Sequence, residues 1–239
     1  MKNGLLTAGV LVAGLVVFAG TMTMAGAALR IPPKDVVVSV KTAEKTEKLS
    51  PVSFPYSVEG TTLTVERLAV YEGPEVEQGS DEPTANALAL ILFNAGDREI
   101  LKAQIVLEGE DTAHSFEATH IPGYSRILLV EKSGALWGKT AYTACSAAVE
   151  YAEDPGLTDQ QIMITQVDMG KIAVSNLTED RLQAVRIFHK NCLEEIYVGG
   201  ITYETIVGDL EPGETVEKIP ERYAAGYSKV VRVEGKTVE

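Results

Sequence analysis

Few residues in this chain have the types and spacing that carry chemistry. There are two cysteines, Cys145 and Cys192, and three histidines, His114, His120 and His189. No CxxC, Cys–His, HExxH or HxH spacing links them, so a zinc centre or a catalytic thiol is not expected. His114 and His120 lie six residues apart on an alternating segment, about 20 Å along a strand, too far for one metal ion. The two cysteines are one possible disulfide, set against the alternative of two reduced thiols with at least one buried. The segment 72–82 concentrates five carboxylates, Glu72, Glu75, Glu77, Asp81 and Glu82. Calcium favours such oxygen-rich loops, but the EF-hand pattern is missing, and a charged loop is usually a solvated one. Glu150, Glu153, Asp154, Glu194 and Glu195 have no spacing that fixes an acid–base pair across a cleft.

Other candidate signals are equally spare. No GxSxG, Walker or dinucleotide fingerprint occurs. Gly199-Gly200, flanked by aromatic and β-branched residues, reads as a bulge or tight turn rather than a phosphate loop. Tyr197, Tyr203, Tyr223 and Tyr227 gather late in the chain. They define the candidate partner-binding surface, with core packing as the competing reading. Asn176-Leu177-Thr178 matches a glycosylation sequon. These features predict a protein that is not an enzyme and needs no cofactor. Small-ligand or calcium binding by the acidic loop is the alternative.

The elements that must position these residues read as strands. Leu63 and Val65 share a face of residues 62–71, and residues 87–93 form a short apolar run of strand length. Ala103, Ile105 and Leu107 alternate along the next strand. Residues 114–120, 126–130 and 141–151 follow. A second set covers residues 162–167, 171–176, 182–189, 195–198, 201–207, 215–219 and 228–234. No 3.6-residue period is convincing after residue 35, so little helix is expected there.

The two sets echo each other. Asn94-Ala-Gly-Asp-Arg98 precedes an alternating strand, as does Asn176-Leu-Thr-Glu-Asp-Arg181. The turn Ile121-Pro122-Gly123 is matched by Leu210-Glu211-Pro212-Gly213. Proline followed by glycine sets a tight turn. The short connection Asp154–Asp159 implies that the two units touch. The expected fold is all-β, two immunoglobulin-like β-sandwiches over residues 51–153 and 160–239. This layout resembles the small immunoglobulin-like modules of bacterial envelope proteins, the CARDB and FxLYD types. The resemblance spans about 180 residues at the level of pattern. It implies the fold and a place on the membrane-anchored cell envelope, and it leaves function open.

The first 29 residues hold one charged side chain, Lys2. Residues 4–29 are uncharged, and a helix of that length reaches about 39 Å against a bilayer core of about 30 Å. Ten of these 26 residues are Leu, Val or Phe, contributing roughly −3 to −6 kcal/mol to insertion before Gly and Thr reduce it. A retained single-span anchor fits this length better than a cleaved signal peptide, although Ala25-Gly26-Ala27 is a plausible cleavage site. Residues 30–50 read as a polar juxtamembrane stalk. The β-rich remainder fits an extracytoplasmic position, with another envelope protein or a glycan as partner and the membrane engaged through the N-terminal segment. The net charge of −13 over 239 residues excludes nucleic acid, because phosphate binding needs a basic surface.

Overall fold

The computed structural model describes residues 37–39, 52–138 and 140–238. The apolar leader and most of the stalk therefore lie outside the described residues. Among the described residues fourteen strands form in chain order: β1 (Val37–Ser39), β2 (Tyr56–Ser57), β3 (Leu63–Pro74), β4 (Pro83–Asn94), β5 (Ile100–Gly109), β6 (Ala113–Ile121) and β7 (Arg126–Val130). Then come β8 (Tyr142–Tyr151), β9 (Ile162–Asp168), β10 (Lys171–Asn176), β11 (Arg181–Leu193), β12 (Ile196–Leu210), β13 (Thr215–Lys218) and β14 (Ser228–Val238). Among the described residues the only helical element is a 3-10 turn, Val76–Gln78. The fold is all-β, as the alternating pattern predicts.

Strands β3–β8 and β9–β14 form two six-stranded repeats of identical connectivity. In the first, β3-β4-β7 faces β6-β5-β8, and in the second, β13-β10-β9 faces β12-β11-β14. Alternation fills each interior. Leu63, Val65, Leu90, Leu92, Ile127 and Leu129 meet Ala103, Ile105, Leu107 and Phe116 in the first core. Ile172 and Val174 meet Val185, Ile187, Leu210 and Val233 in the second. Each buried methylene contributes about 0.8 kcal/mol, so these interiors dominate the stabilisation.

The repeat is fixed by one buried amide in each half. Asn94 Nδ2 donates to the carbonyls of Arg98, Ile121 and Pro122 at 2.9, 3.5 and 3.1 Å. Asn176 Nδ2 donates to the carbonyls of Asp180, Leu210 and Glu211 at 2.8, 3.1 and 3.2 Å. Each side-chain oxygen also accepts from its own turn, at the Gly96 and Thr178 amides. Five positions therefore correspond one to one. They align Pro122 with Glu211, one residue earlier than the matching of the two Pro-Gly turns suggests.

The repeats are not beads on a string. β7 of the first pairs in parallel with β12 of the second, Ile196 beside Arg126, Tyr197 beside Ile127 and Val198 beside Leu128. This makes one long sheet in the order β1-β3-β4-β7-β12-β11-β14, with β2 also on β3. Ile187 and Val233 point into the second core. Their neighbours Phe188 and Arg232 point the other way, toward His120 and Glu99 of the first repeat. The layers β6-β5-β8 and β13-β10-β9 thus cover opposite faces of the long sheet.

Two expectations change. Residues 195–198 and 201–207 are one strand, β12, rather than two, because the ladder is interrupted by a bulge and then resumes. The acidic segment 72–82 is not a free loop. β3 runs on to Pro74, β4 starts at Pro83, and Val76 between them is buried on a small second-face cluster with Tyr71, Ala87, Ala89 and Val198.

Candidate functional site

The junction between the repeats holds the most unusual chemistry. Opposite Lys190 on β11, strand β12 arches outward. His189 pairs with Tyr203 and Asn191 with Val198, so residues 199–202 face a single partner residue. A bulge leaves backbone groups without ladder partners. Lys190 supplies them: Nζ donates to the carbonyls of Gly199, Gly200 and Ile201 at 3.4, 2.8 and 2.8 Å. The lysine is fully buried. The Gly200 amide on the same arch donates to Glu77 Oε2 at 2.7 Å, and Glu77 Oε1 accepts from the Val130 amide at 2.9 Å. The carboxylate therefore bridges β7 and β12 where the two strands diverge.

Burial governs the charges here. It pushes the Glu77 carboxyl up to about 7, against the two amide hydrogen bonds and the nearby Lys190. Burial also pulls the Lys190 ammonium down to about 7, with Glu77 opposing the shift. Both glycines are sterically required. A Cβ on Gly200 would lie 1.8 Å from the Glu117 carbonyl oxygen, and one on Gly199, where φ is +84°, would lie 2.9 Å from Val76 Cβ.

Above Glu77 opens a groove of about 320 Å³ between β6 and β12, lined by Glu77, Glu117, Thr119, Lys132, Gly200 and Thr202. Its rim carries a Lys132–Glu117 ion pair at 2.8 Å. Thr119 and Thr202 close one end, with their hydroxyl oxygens 2.8 Å apart. A second junction cluster lies along the connection. Arg232, its side chain 5% exposed, bonds Glu99, Asp154 and Glu234 at 2.9, 2.9 and 3.0 Å. The other Glu99 oxygen is 2.8 Å from His120 Nδ1, and the His120 ring stacks on Phe188 with centroids 4.5 Å apart. Both Glu99 oxygens are thus engaged, which suits cohesion and not proton abstraction.

The residues singled out from sequence fall in different places. Tyr203 and Tyr223 flank His189, each with ring centroids 5.4 Å from it. Tyr223 also packs on the second core, whereas Tyr197 packs on the first. Tyr227 is 43% exposed. The four tyrosines therefore differ in what they pack against. His189 is buried, and neither ring nitrogen makes a hydrogen bond of ordinary geometry, although the Glu221 backbone faces it. Burial holds it down to about 4, so the ring is neutral at pH 7.

Cys145 on β8 and Cys192 on β11 are both buried and both free. Burial pushes the Cys145 thiol up to about 11, away from nucleophilic character. The acidic carboxylates of segment 72–82 diverge. Glu77 enters the junction, and Asp81 pairs with Arg222 of the second repeat at 2.7 Å. Among the described residues no three metal-ligating side chains converge. Asn176 of the sequon is 1% exposed with its amide in use, so in the folded chain it is not a glycan acceptor.

Sequence reasoning missed Glu77, Lys190, Glu99 and Arg232 as a set. A lysine inside an otherwise alternating strand, opposite a Gly-Gly pair, was the available signal. A comparison with models of known protein families and with curated proteins finds no match to this chain.

Proposed function

We propose that this is a non-enzymatic, membrane-anchored extracytoplasmic interaction or scaffold protein of the cell envelope. Its two repeats are read as immunoglobulin-like β-sandwiches of the kind its sequence pattern resembles. One observation carries the reading: buried ionisable groups bond across the junction. Glu77 accepts from the Val130 amide of the first repeat and the Gly200 amide of the second, on an arch that Lys190 holds, and Arg232 of the second repeat bonds Glu99 of the first. Such a body presents surfaces at a set distance and angle, which is what a scaffold requires. The uncharged residues 4–29 supply the tether.

The test is fractionation of the full chain from intact cells, followed by protease treatment from outside. The expected result is a carbonate-resistant membrane protein whose residues 52–238 are cut without cell lysis. Recovery in the soluble cytosol, protected from protease, refutes the reading. Small-ligand or calcium binding is the second reading, favoured by the groove above Glu77. A calcium titration that leaves the melting temperature unchanged removes its calcium form.

A further inference from the structure

Open sheet edges are hazards that folded chains normally blunt with charge, proline or cover. Most edges here follow that rule. The outer strand β14 carries Lys229, Arg232, Glu234 and Lys236, β13 is four residues long with Glu217 and Lys218, and β6 is overlaid by β12 through Thr119 and Thr202. On β8 the outward side chains are Ala144, Ser146 and Ala148, which offer little area to bury, and the charged Glu150. Strand β9 breaks the rule. It reads Ile-Met-Ile-Thr-Gln-Val-Asp, one charge in seven residues of a chain with net charge −13. Met163, Val167 and the adjoining Met169 are 45%, 47% and 55% exposed.

The repeat shows what belongs on such an edge. Leu63 pairs with Asn94 as Ile162 pairs with Asn176, so β9 is the counterpart of the first seven residues of β3. In the first repeat that edge is occupied: Tyr56 and Ser57 of β2 pair with Val65 and Thr64. In the second, the incoming chain turns aside, and Leu157 donates to the Val233 carbonyl on β14 instead. Among the described residues nothing pairs with the outer side of β9.

We propose that a second copy of this chain occupies it, the two β9 strands pairing antiparallel about Thr165. In that register Met163 faces Val167 of the other copy, Ile164 faces Gln166 and Thr165 faces itself. The outward side chains that meet are all uncharged, and Asp168 lies opposite Ile162 rather than another acid. The backbone phase agrees. The Leu177 amide donates to Gln161, so with the alternation of an antiparallel ladder Met163 and Thr165 direct their backbone groups to β10. Ile164 and Gln166 direct theirs outward. Those are the residues that this register hydrogen-bonds across the two-fold axis. The product is a six-stranded sheet, β13-β10-β9 continued into its symmetry mate. Edge-to-edge fusion of layers is the device this fold already uses at β7 and β12.

The test uses the full chain in mild detergent. In a non-hydrogen-bonded antiparallel pair, facing Cα atoms lie about 4.5 Å apart, within the reach of a disulfide, about 4.4–6.8 Å. Thr165→Cys should oxidise to a reducible dimer, and wild type should sediment as a dimer at tens of micromolar. Glu217→Cys, exposed on the same layer but on β13, should form no disulfide-linked dimer. Adding Val167→Lys to Thr165→Cys should return the dimer to the Glu217→Cys level with the melting temperature kept. A monomeric wild type, cross-linking equal at positions 165 and 217, or capture of a different protein in place of a dimer overturns the proposal. The proposal does not depend on envelope location, so its failure and that of the scaffold reading are separable.

Discussion

Asn94 and Asn176 show how one amide can close a repeat. Each donates to three backbone carbonyls inside the fold. A buried group left without its partner costs about 1–3 kcal/mol. Asn176→Asp should do worse, since it sets a carboxylate oxygen against three carbonyl oxygens. The expected loss exceeds about 4 kcal/mol, read by urea denaturation, and Asn94→Asp should match it. The junction pair predicts a pH signature. The folded Glu77 holds its proton up to about 7, where the unfolded group releases it near 4.5. Folding therefore takes up a proton between these values, and stability falls as pH rises through them. Lys190 runs the opposite way: its folded value near 7 lies below 10.5, so stability rises with pH from 7 upward. The pair's contribution is lowest near neutrality. Urea midpoints at half-unit pH steps, wild type minus the Glu77→Gln/Lys190→Met double variant, should trace that trough. Both asparagines are visible in sequence as turn residues, yet their inward role is not, because the third carbonyl comes from 28 or 35 residues away. Glu77 reads as a solvated loop acid for a similar reason: the amide that buries it lies 123 residues along the chain.

At the scale of elements, period two locates the strands well. Residues 126–130 and 171–176 coincide with β7 and β10, and Ala103, Ile105 and Leu107 are fully buried as their shared face demands. Alternation says which face is apolar but not which edge meets which, so the parallel β7–β12 seam is invisible in sequence. The Gly199-Gly200 pair is legible as a bulge; what it permits is not. The second glycine lets β12 approach β6 more closely than any side chain allows. Gly200→Ala should therefore cost about 3 kcal/mol, the upper range for overpacking. In that variant amide exchange should accelerate at Val130 and at position 200, where Glu77 binds, more than at Ile105 and Ile187 in the two cores. Equal acceleration in the cores would mean that the seam is not the site of strain.

For the whole molecule, the partner contact proposed above falls on Tyr227. Tyr227 is exposed, while Tyr203 and Tyr223 wall in His189. Tyr227→Ser should leave the melting temperature within about 2 °C, as surface changes do, and weaken cross-linking to an envelope partner in intact cells. Tyr203→Ser should lower the melting temperature because the neutral His189 loses its stacking neighbour. A stable Tyr203→Ser chain with lost partner capture would return Tyr203 to the contact surface. The long sheet has a mechanical consequence. β1 and β14 are its opposite rims, six ladder spacings or about 29 Å apart. Tension between Val37 and Val238 would act crosswise to the ladders and peel them one after another, as a zipper opens. Such a body carries little load along that line, and resists best when pushed face-on.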